Sequence, residues 1–332
     1  MVDPVSPADF KVMFFNDTPV IIQLPPRLTV LEAVAFKTTC QELLQGSSVP
    51  EQIIFDLSQT TFIDSSGIGS LVSNHKSARE KGIKLVLKNV SPQVMAVLAM
   101  TGLDNVLTIE LPDKPTASTT NRSESQLPTT HPSVRSWIKR FLDVVGGVVG
   151  LGITAVAFIP IAIAIKLSSS GPILFGQTRC GWMGKRFRIW KFRSMYADAE
   201  SKRNLIENQA SGAIFKNDND PRITPVGRFL RRTSLDELPQ FWNVIKGEMS
   251  LVGTRPPTPD EVERYEVPEW QRLDVKPGMT GEWQVHGRSS IRNFEDIIKL
   301  DLRYQENWSL AYDLKLIIKT ILVVFTKDSG AK

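Results

Sequence analysis

One stretch of this chain constrains its architecture more than any other. No charged residue occurs from Val144 to Ile165, a run of 22 residues. That is about the length that crosses a hydrocarbon core of ~30 Å as a helix. No second run of this kind occurs in the 332 residues, so a polytopic membrane protein is excluded. The chain opens on a polar stretch with Asp3, Pro4 and Asp9, not on a basic segment followed by an apolar one. This predicts an amino-terminal region that carries no leader peptide and folds in the cytoplasm.

Two readings of the apolar run stand beside each other. A single transmembrane helix satisfies hydropathy. The flanks favour another course, because Lys139 and Arg140 precede the run. Lys166, Arg179, Lys185, Arg186, Arg188, Lys191 and Arg193 follow it. Basic residues at both ends put both ends on the cytoplasmic side. Pro160 inside the run predicts a break or kink. Gly146, Gly147, Gly150 and Gly152 loosen its first half. A helix–break–helix that enters and leaves on one face meets all of these conditions.

Ahead of the run the chain divides in two. Residues 10–110 alternate β-branched stretches with helical periodicity. Strands are predicted at Lys11–Phe15, Val20–Leu24, Gln52–Leu57, Lys84–Leu87 and Val106–Glu110, with helices at Val30–Leu44, Ser65–Lys81 and Pro92–Met100. This is an α/β pattern. Residues 111–134, with four Pro and many Ser and Thr, read as a flexible linker.

Charge separates the same parts. Residues 1–110 carry 8 Lys and Arg against 11 Asp and Glu, and the remainder carries 32 against 24. The basic excess lies wholly in the second part, where it suits phosphate-bearing substrates or an anionic membrane surface. Nucleic acid is the other partner of a basic domain, but no zinc finger, RNA-binding aromatic signature or arginine-rich tail accompanies it. Two distant cysteines, Cys40 and Cys180, exclude a disulfide framework, and three scattered histidines argue against a multi-histidine metal site. Near the carboxyl end, Ile297–Leu302 and Tyr312–Phe325 place apolar residues at helical spacing. They read either as core helices or as helices in the membrane interface, with Lys315 and Lys319 reaching for headgroups.

Two short motifs carry chemistry. In the first part, Asp64-Ser65-Ser66-Gly67-Ile68-Gly69 opens the predicted helix running to Lys81. Asp and Ser are helix caps in their own right, and a helix amino end also suits a phosphate. Ser65 is therefore a candidate phosphorylation site. In the second part, Asp236 and Glu237 lie just before Pro239, where a helix through Phe241–Lys246 is expected to start. Arg222, Arg228, Arg231 and Arg232 precede this pair, and Arg255 and Arg288 follow it. Guanidinium groups bind phosphate oxygens two at a time. Adjacent carboxylates project differently, so one can face a phosphorus atom while the other holds a metal. A carboxylate can attack phosphorus, and Mg²⁺ is the natural ion among phosphates and oxygen ligands.

These residues carry two family resemblances. The DSSGIG segment, placed after a strand of a β/α domain of about 100 residues, resembles the STAS domains of anti-sigma-factor antagonists and sulfate-transporter tails. That resemblance covers residues 8–112 and implies a mixed sheet with packed helices. It also implies a phospho-switch at Ser65, and pairing with itself as a homodimer or with a protein partner.

The second part resembles the bacterial sugar transferases, which are polyprenyl-phosphate phosphoglycosyl transferases. The matching segments are Lys139-Arg140 with Asp143, then residues 165–181, FRIWKFRSM (187–195), residues 220–256 and VKPGMTGEWQVHGRS (275–289). The resemblance implies a re-entrant membrane helix over 135–167, after a linker at 113–134. A membrane-associated, α-rich α/β catalytic domain with interfacial amphipathic helices follows over 168–328. It implies that Asp236 attacks the β-phosphorus of a UDP-sugar and expels UMP. A polyprenyl phosphate, such as undecaprenyl phosphate, then takes the sugar phosphate. Glu237 would be the Mg²⁺ ligand. Lys191, Arg193, Arg222, Arg231, Arg255 with Pro256, and Arg288 would bind substrate phosphates or nucleotide. The location implied is the cytoplasmic leaflet of the bacterial inner membrane, at the first membrane step of exopolysaccharide, O-antigen or glycoconjugate synthesis. Members of this family break the membrane helix at a Ser-Pro pair. Here Ala155-Val156 stands at that place and Pro160 follows about one turn later. A different reading makes the chain a membrane-anchored regulatory scaffold, with an STAS domain that binds a signalling partner and an inactive second domain.

Overall fold

A computed structural model describes residues 11–13, 19–46, 50–110, 129–202, 205–215, 217–286, 291 and 293–325. The chain divides into two units. The first holds Met1–Thr130 together with Met183–Lys185 and Tyr265–Asp274, and the second holds His131–Trp182, Arg186–Arg264 and Val275–Lys332.

The first unit follows the alternation in the sequence. Its elements are β1 (Lys11–Met13), β2 (Val20–Gln23), β3 (Arg27–Leu28), α1 (Val30–Gln45), β4 (Gln52–Asp56), β5 (Phe62–Ile63), α2 (Ser65–Glu80), β6 (Lys84–Lys88), α3 (Pro92–Thr101) and β7 (Thr108–Glu110). Five strands form one sheet in the order β1-β2-β4-β6-β7. β1 runs antiparallel to β2, and the other pairs are parallel. The sheet is therefore mixed, as expected. β4 and β6 each bury three successive residues, the signature of inner parallel strands covered on both faces. Ile22, Phe36, Phe55, Leu57 and Ile68 fill the core. The predicted helices are all present within a residue or so at each end. The two-residue strands β3 and β5, which pair with each other, escaped the sequence reading because two residues hold no period. The predicted linker lies largely outside the described residues.

The second unit opens on α4 (Pro132–Arg135) and α5 (Trp137–Ser168). Next come β8 (Leu174–Cys180), β9 (Arg186–Phe192), α6 (Pro225–Arg232), a 3₁₀ helix (Leu235–Gln240) and α7 (Phe241–Lys246). It ends with β10 (Ser250–Val252), α8 (Pro259–Val262), β11 (Gly278–Thr280), α9 (Glu282–Val285), α10 (Phe294–Glu306) and α11 (Leu310–Phe325). β8 and β9 form an antiparallel hairpin, and β10 pairs with β11 in parallel.

α5 corrects one expectation. The helix continues through Pro160 for 32 residues instead of breaking there, a length of about 48 Å at 1.5 Å per residue. Proline removes one backbone donor, and the hydrogen-bond ladder closes again beyond it. The most apolar window of α5 is 22% buried, which sets it apart from the core helix of a water-soluble domain. Val145, Val148, Val149, Ile153, Val156, Ile159 and Ile163 lie exposed along it.

The glycines of α5 also act differently from the reading above. A Cβ on Gly150 would lie 2.4 Å from the Phe241 ring, and one on Gly147 would lie 2.9 Å from Ile245. They are the face on which α7 packs, and their lack of side chains lets the two backbones approach.

The basic flank before the run is likewise drawn into the fold. Lys139 is 6% exposed. Its Nζ donates to Asp313 at 2.5 Å, to the Val252 carbonyl at 3.0 Å and to the Tyr304 hydroxyl at 3.3 Å. Arg140 donates to the carbonyls of Val244 and Ile245 at 2.7 and 2.6 Å. Asp143 accepts from the Ser250 hydroxyl and the Leu251 N–H, both at 2.9 Å. These three residues tie α5 to α7, β10 and α11, so they do not face headgroups. Of the two helices near the carboxyl end, α10 buries Ile297 and Tyr304 in the core. α11 buries Leu316 and turns Leu314, Ile318, Ile321 and Leu322 outward, as an interfacial helix does.

Candidate active site

The second unit collects its chemistry where α6, the hairpin and the 3₁₀ helix meet. α6 is capped by the Thr224 hydroxyl, which accepts from the Gly227 N–H at 2.9 Å, with Pro225 at the first helical position. Its last turn carries Arg231 and Arg232. The chain then reverses at Ser234, whose φ of 57° lies in the left-handed region. A non-glycine residue held there costs on the order of 1–3 kcal/mol, and such strain gathers at functional sites. The turn starts the 3₁₀ helix at Leu235, four residues before the start read from Pro239. Asp236 and Glu237 thereby fall in its first turn. Free N–H groups and the helix dipole favour negative charge there.

The two carboxylates have different surroundings. Asp236 is buried at 4% exposure. Glu237 pairs with Lys191 of β9, Nζ to Oε1 at 2.9 Å. The helix that carries them also borders an apolar cavity of about 340 Å³, lined by Leu151, Thr154 and Phe158 of α5, Leu174, Trp190, Trp242 and Pro239. Pro239 belongs to the 3₁₀ helix that carries Asp236, so one short element borders both the carboxylates and the cavity. Trp190 is also stacked under the Arg188 guanidinium at 4.7 Å.

The arginines read from the sequence are distributed over this scaffold. Arg231 Nε donates to the Ser194 hydroxyl at 2.9 Å. Arg193 is buried, and its two terminal nitrogens donate to the carbonyls of Ser169 and Ser170 just past α5. Arg222 is held by Asp220 at 2.7 Å, lies over the Phe215 ring and is buried. Those contacts make Arg193 and Arg222 braces for the loops around Ser194. Arg255 is gripped by both oxygens of Glu261, at 2.8 and 3.1 Å. Pro256 is buried behind it, and its carbonyl accepts from Arg179 at 3.0 Å. Arg288 lies outside the described residues.

Two groups with defined roles escaped the sequence reading. Burial would raise the Glu261 carboxyl, but Arg255 and Arg179 outweigh it and hold it down to about 2. Burial, and then the neighbouring Arg255, lower Arg179 to about 10 against the pull of Glu261 and Glu237. Glu237, Arg179, Arg255 and Glu261 thus belong to one electrostatic group. Glu261 had a legible signal, because Thr258-x-x-Glu261 is a capping box. Its second task, holding Arg255, depends on the fold.

A divalent cation fits the donor chemistry here. Mg²⁺ is bound through one or two carboxylates together with substrate phosphates, and the rest of its shell is water. Glu237 supplies one such carboxylate, while Asp236 beside it stays available to face a phosphorus atom. No cluster of three or more metal-binding side chains occurs among the described residues, so the protein alone offers no closed cage.

Comparison with known proteins finds two families along the chain. A family model described as bacterial sugar transferase matches residues 134–327, and one described as STAS domain matches residues 12–118. The galactosyl transferase CpsE of Streptococcus agalactiae is 50% identical over 199 residues, covering 58% of this chain and 43% of that protein. The undecaprenyl-phosphate galactose phosphotransferase of Salmonella typhimurium is 42% identical over 200 residues, again 58% of this chain and 42% of that protein. The chain therefore spans about two fifths of these curated relatives. The solved anti-sigma factor antagonist SpoIIAA in its unphosphorylated form is 19% identical and covers 31% of this chain and 88% of that one, with a TM-score of 0.26. Since the transferase match takes in more than half of the chain, the protein belongs to the bacterial sugar transferase family and carries an STAS domain ahead of that region.

Proposed function

We propose that this protein transfers a sugar phosphate from a UDP-sugar to a polyprenyl phosphate. The observation that carries the reading is the short 3₁₀ helix that presents buried Asp236 and paired Glu237 beside an apolar cavity opening off α5. A water-soluble phosphate donor needs the first feature, and a lipid acceptor needs the second. The names of the relatives, a galactosyl transferase and an undecaprenyl-phosphate galactose phosphotransferase, name a sugar group and the polyprenyl phosphate acceptor.

In this reading an Asp236 carboxylate oxygen attacks the β-phosphorus of the UDP-sugar. The new oxygen–phosphorus bond replaces the bond to the departing UMP. The polyprenyl phosphate oxygen then attacks the same phosphorus, which frees Asp236 and yields the polyprenyl-diphospho-sugar. Lys191, Arg231 and Arg255 orient phosphate oxygens in this reading. Arg193 and Arg222 hold the loops that position them, and Arg288 joins the set by its family segment. Glu237 would hold Mg²⁺. That ion, when bound, withdraws charge from the phosphate oxygens. Trp190, Trp242 and Phe158 receive the first isoprene units of the acceptor. The exposed apolar faces of α5 and α11 seat the unit in the cytoplasmic leaflet of the inner membrane, with both flanks of α5 on the cytoplasmic side. Ser65 is the position proposed for phosphorylation, and the STAS domain for association with a partner or a second copy.

The test is turnover by the full chain in detergent, with undecaprenyl phosphate and a panel of UDP-sugars that begins with UDP-galactose. UMP release is expected with one sugar at least. It should be lost in EDTA and restored by Mg²⁺. Asp236→Asn should abolish both UMP release and covalent labelling by a radioactive sugar phosphate. Labelling that persists in Asp236→Asn would refute the covalent role.

A further inference from the structure

The first unit contains a contact that its sequence motif does not anticipate. The amino end of α2 offers the N–H groups of Ser65, Ser66 and Gly67. Asp64 caps the third of these, Oδ1 to the Gly67 N–H at 2.8 Å. The first is taken by a carboxylate from 209 residues further along the chain, because the Ser65 N–H donates to Asp274 Oδ1 at 3.0 Å. Asp274 ends the segment Tyr265–Asp274, which belongs to this unit. The segment is fastened elsewhere as well. Gly69 meets the Trp270 ring so closely that a Cβ there would lie 2.6 Å from it. Lys37 of α1 pairs with Glu266, and the Thr130 hydroxyl donates to the Asp274 carbonyl at 2.5 Å. Ser65 itself is fully buried, its hydroxyl 3.5 Å from the Met183 sulfur.

We propose that Tyr265–Asp274 is a built-in latch on the amino end of α2, and that negative charge added at Ser65 opens it. The reason is crowding of like charge at a helix end that is largely withdrawn from water. Asp64 and Asp274 already share one helix end. Burial raises both carboxyls, Asp64 to about 6 and Asp274 to about 7, and their mutual repulsion adds to the rise of Asp274. Arg27 is the cation that favours ionised Asp64, and Glu32 opposes it. Arg272 is committed to the Tyr265 hydroxyl at 2.7 Å. A further anion on the Ser65 side chain therefore competes with Asp274 for the same helix end. It displaces Asp274.

The latch lies between α8, whose Glu261 grips Arg255, and β11, which pairs with the strand just before Arg255. Any external ligand of the α2 amino end has to displace the latch as well.

The experiment is hydrogen–deuterium exchange on the full chain in detergent, so it does not depend on the catalytic reading. Peptides covering 265–274 and 65–80 are followed, with the inner strands β4 and β6 as reference. Ser65→Glu should raise exchange of 265–274 at least tenfold and leave β4 and β6 unchanged, whereas Ser65→Ala should keep wild-type protection. If Ser65→Glu exposes the reference strands as well, Gly69→Ala decides, because its Cβ drives Trp270 away without adding charge. It should expose 265–274 alone. Wild-type protection of 265–274 in a folded Ser65→Glu protein, or in Gly69→Ala, would overturn the latch. Equal exposure in Ser65→Ala and Ser65→Glu would overturn its control by charge.

Discussion

Glu261 holds Arg255 with both carboxylate oxygens, at 2.8 and 3.1 Å. The pair is almost closed to solvent on the Glu261 side, which is 6% exposed, so its geometry is not blurred by water. An arginine fixed in this way presents a constant face to an incoming phosphate. Glu261→Gln keeps the shape of the side chain and removes its charge. Hydrogen bonds to charged groups contribute about 1.5–3 kcal/mol. The expected outcome is a KM for the UDP-sugar raised roughly tenfold, with a smaller change in kcat, measured by UMP release.

Lys139 and Asp313 are both nearly closed to solvent, at 6% and 4% exposure. Lys139→Met leaves the Asp313 carboxylate without its cation inside the fold. Breaking a buried pair from one side costs about 3–5 kcal/mol. The thermal midpoint of the full chain in detergent should fall by several degrees. The double variant Lys139→Met/Asp313→Leu should recover much of the loss, because it removes the stranded charge as well. A single variant as stable as wild type would mean that the pair does not tie α5 to α11.

Gly150 separates two opposing effects. Alanine is a better helix former than glycine by about 1 kcal/mol, so Gly150→Ala would stabilise a helix whose only surroundings were lipid. Here the new Cβ would meet the Phe241 ring at 2.4 Å. Overpacking of this kind costs about 1–3 kcal/mol. The variant should melt below wild type, and the displaced α7, which follows directly on the 3₁₀ helix of Asp236, should lower turnover. Gly152, with open space where its Cβ would stand, is the control, and Gly152→Ala should be neutral or stabilising.

Asp64 and Asp274 give the first unit a pH dependence of defined sign. Their folded values are raised to about 6 and about 7, against an unfolded value of about 3.9. Between about pH 4 and pH 7 the folded state therefore holds protons that the unfolded state has released. The stability they contribute is complete below about pH 4 and is lost as pH rises through 6 and 7. Exchange protection of 265–274, corrected for intrinsic rates, should be greater at pH 5.5 than at pH 8. Asp274→Asn should flatten that profile, because its amide oxygen still accepts from Ser65 and carries no titrating proton. A profile unchanged in Asp274→Asn would place the titration elsewhere.

What the sequence determined by itself is the part governed by local period and local chemistry. The strands and helices of the first unit follow from alternation and helical spacing. The uncharged run from Val144 to Ile165 dictates a long apolar helix, and Asp236-Glu237 ahead of Pro239 marks a helix start rich in negative charge. Tertiary structure decided everything that depends on which distant residues meet. Pro160 reads as a break, yet α5 runs through it. Gly147 and Gly150 read as loosening, yet they are the contact face for α7. Lys139 and Arg140 read as a membrane flank, yet they are consumed by Asp313 and by backbone carbonyls. Arg193 reads as a phosphate ligand, and the fold gives it the Ser169 and Ser170 carbonyls. The cause is the same in each case. A residue's type and its near neighbours set what it can bind, but burial removes the water that would otherwise satisfy it. The partner it then takes is whichever group the fold brings within about 3 Å, and for Ser65 that group is a carboxylate 209 residues away.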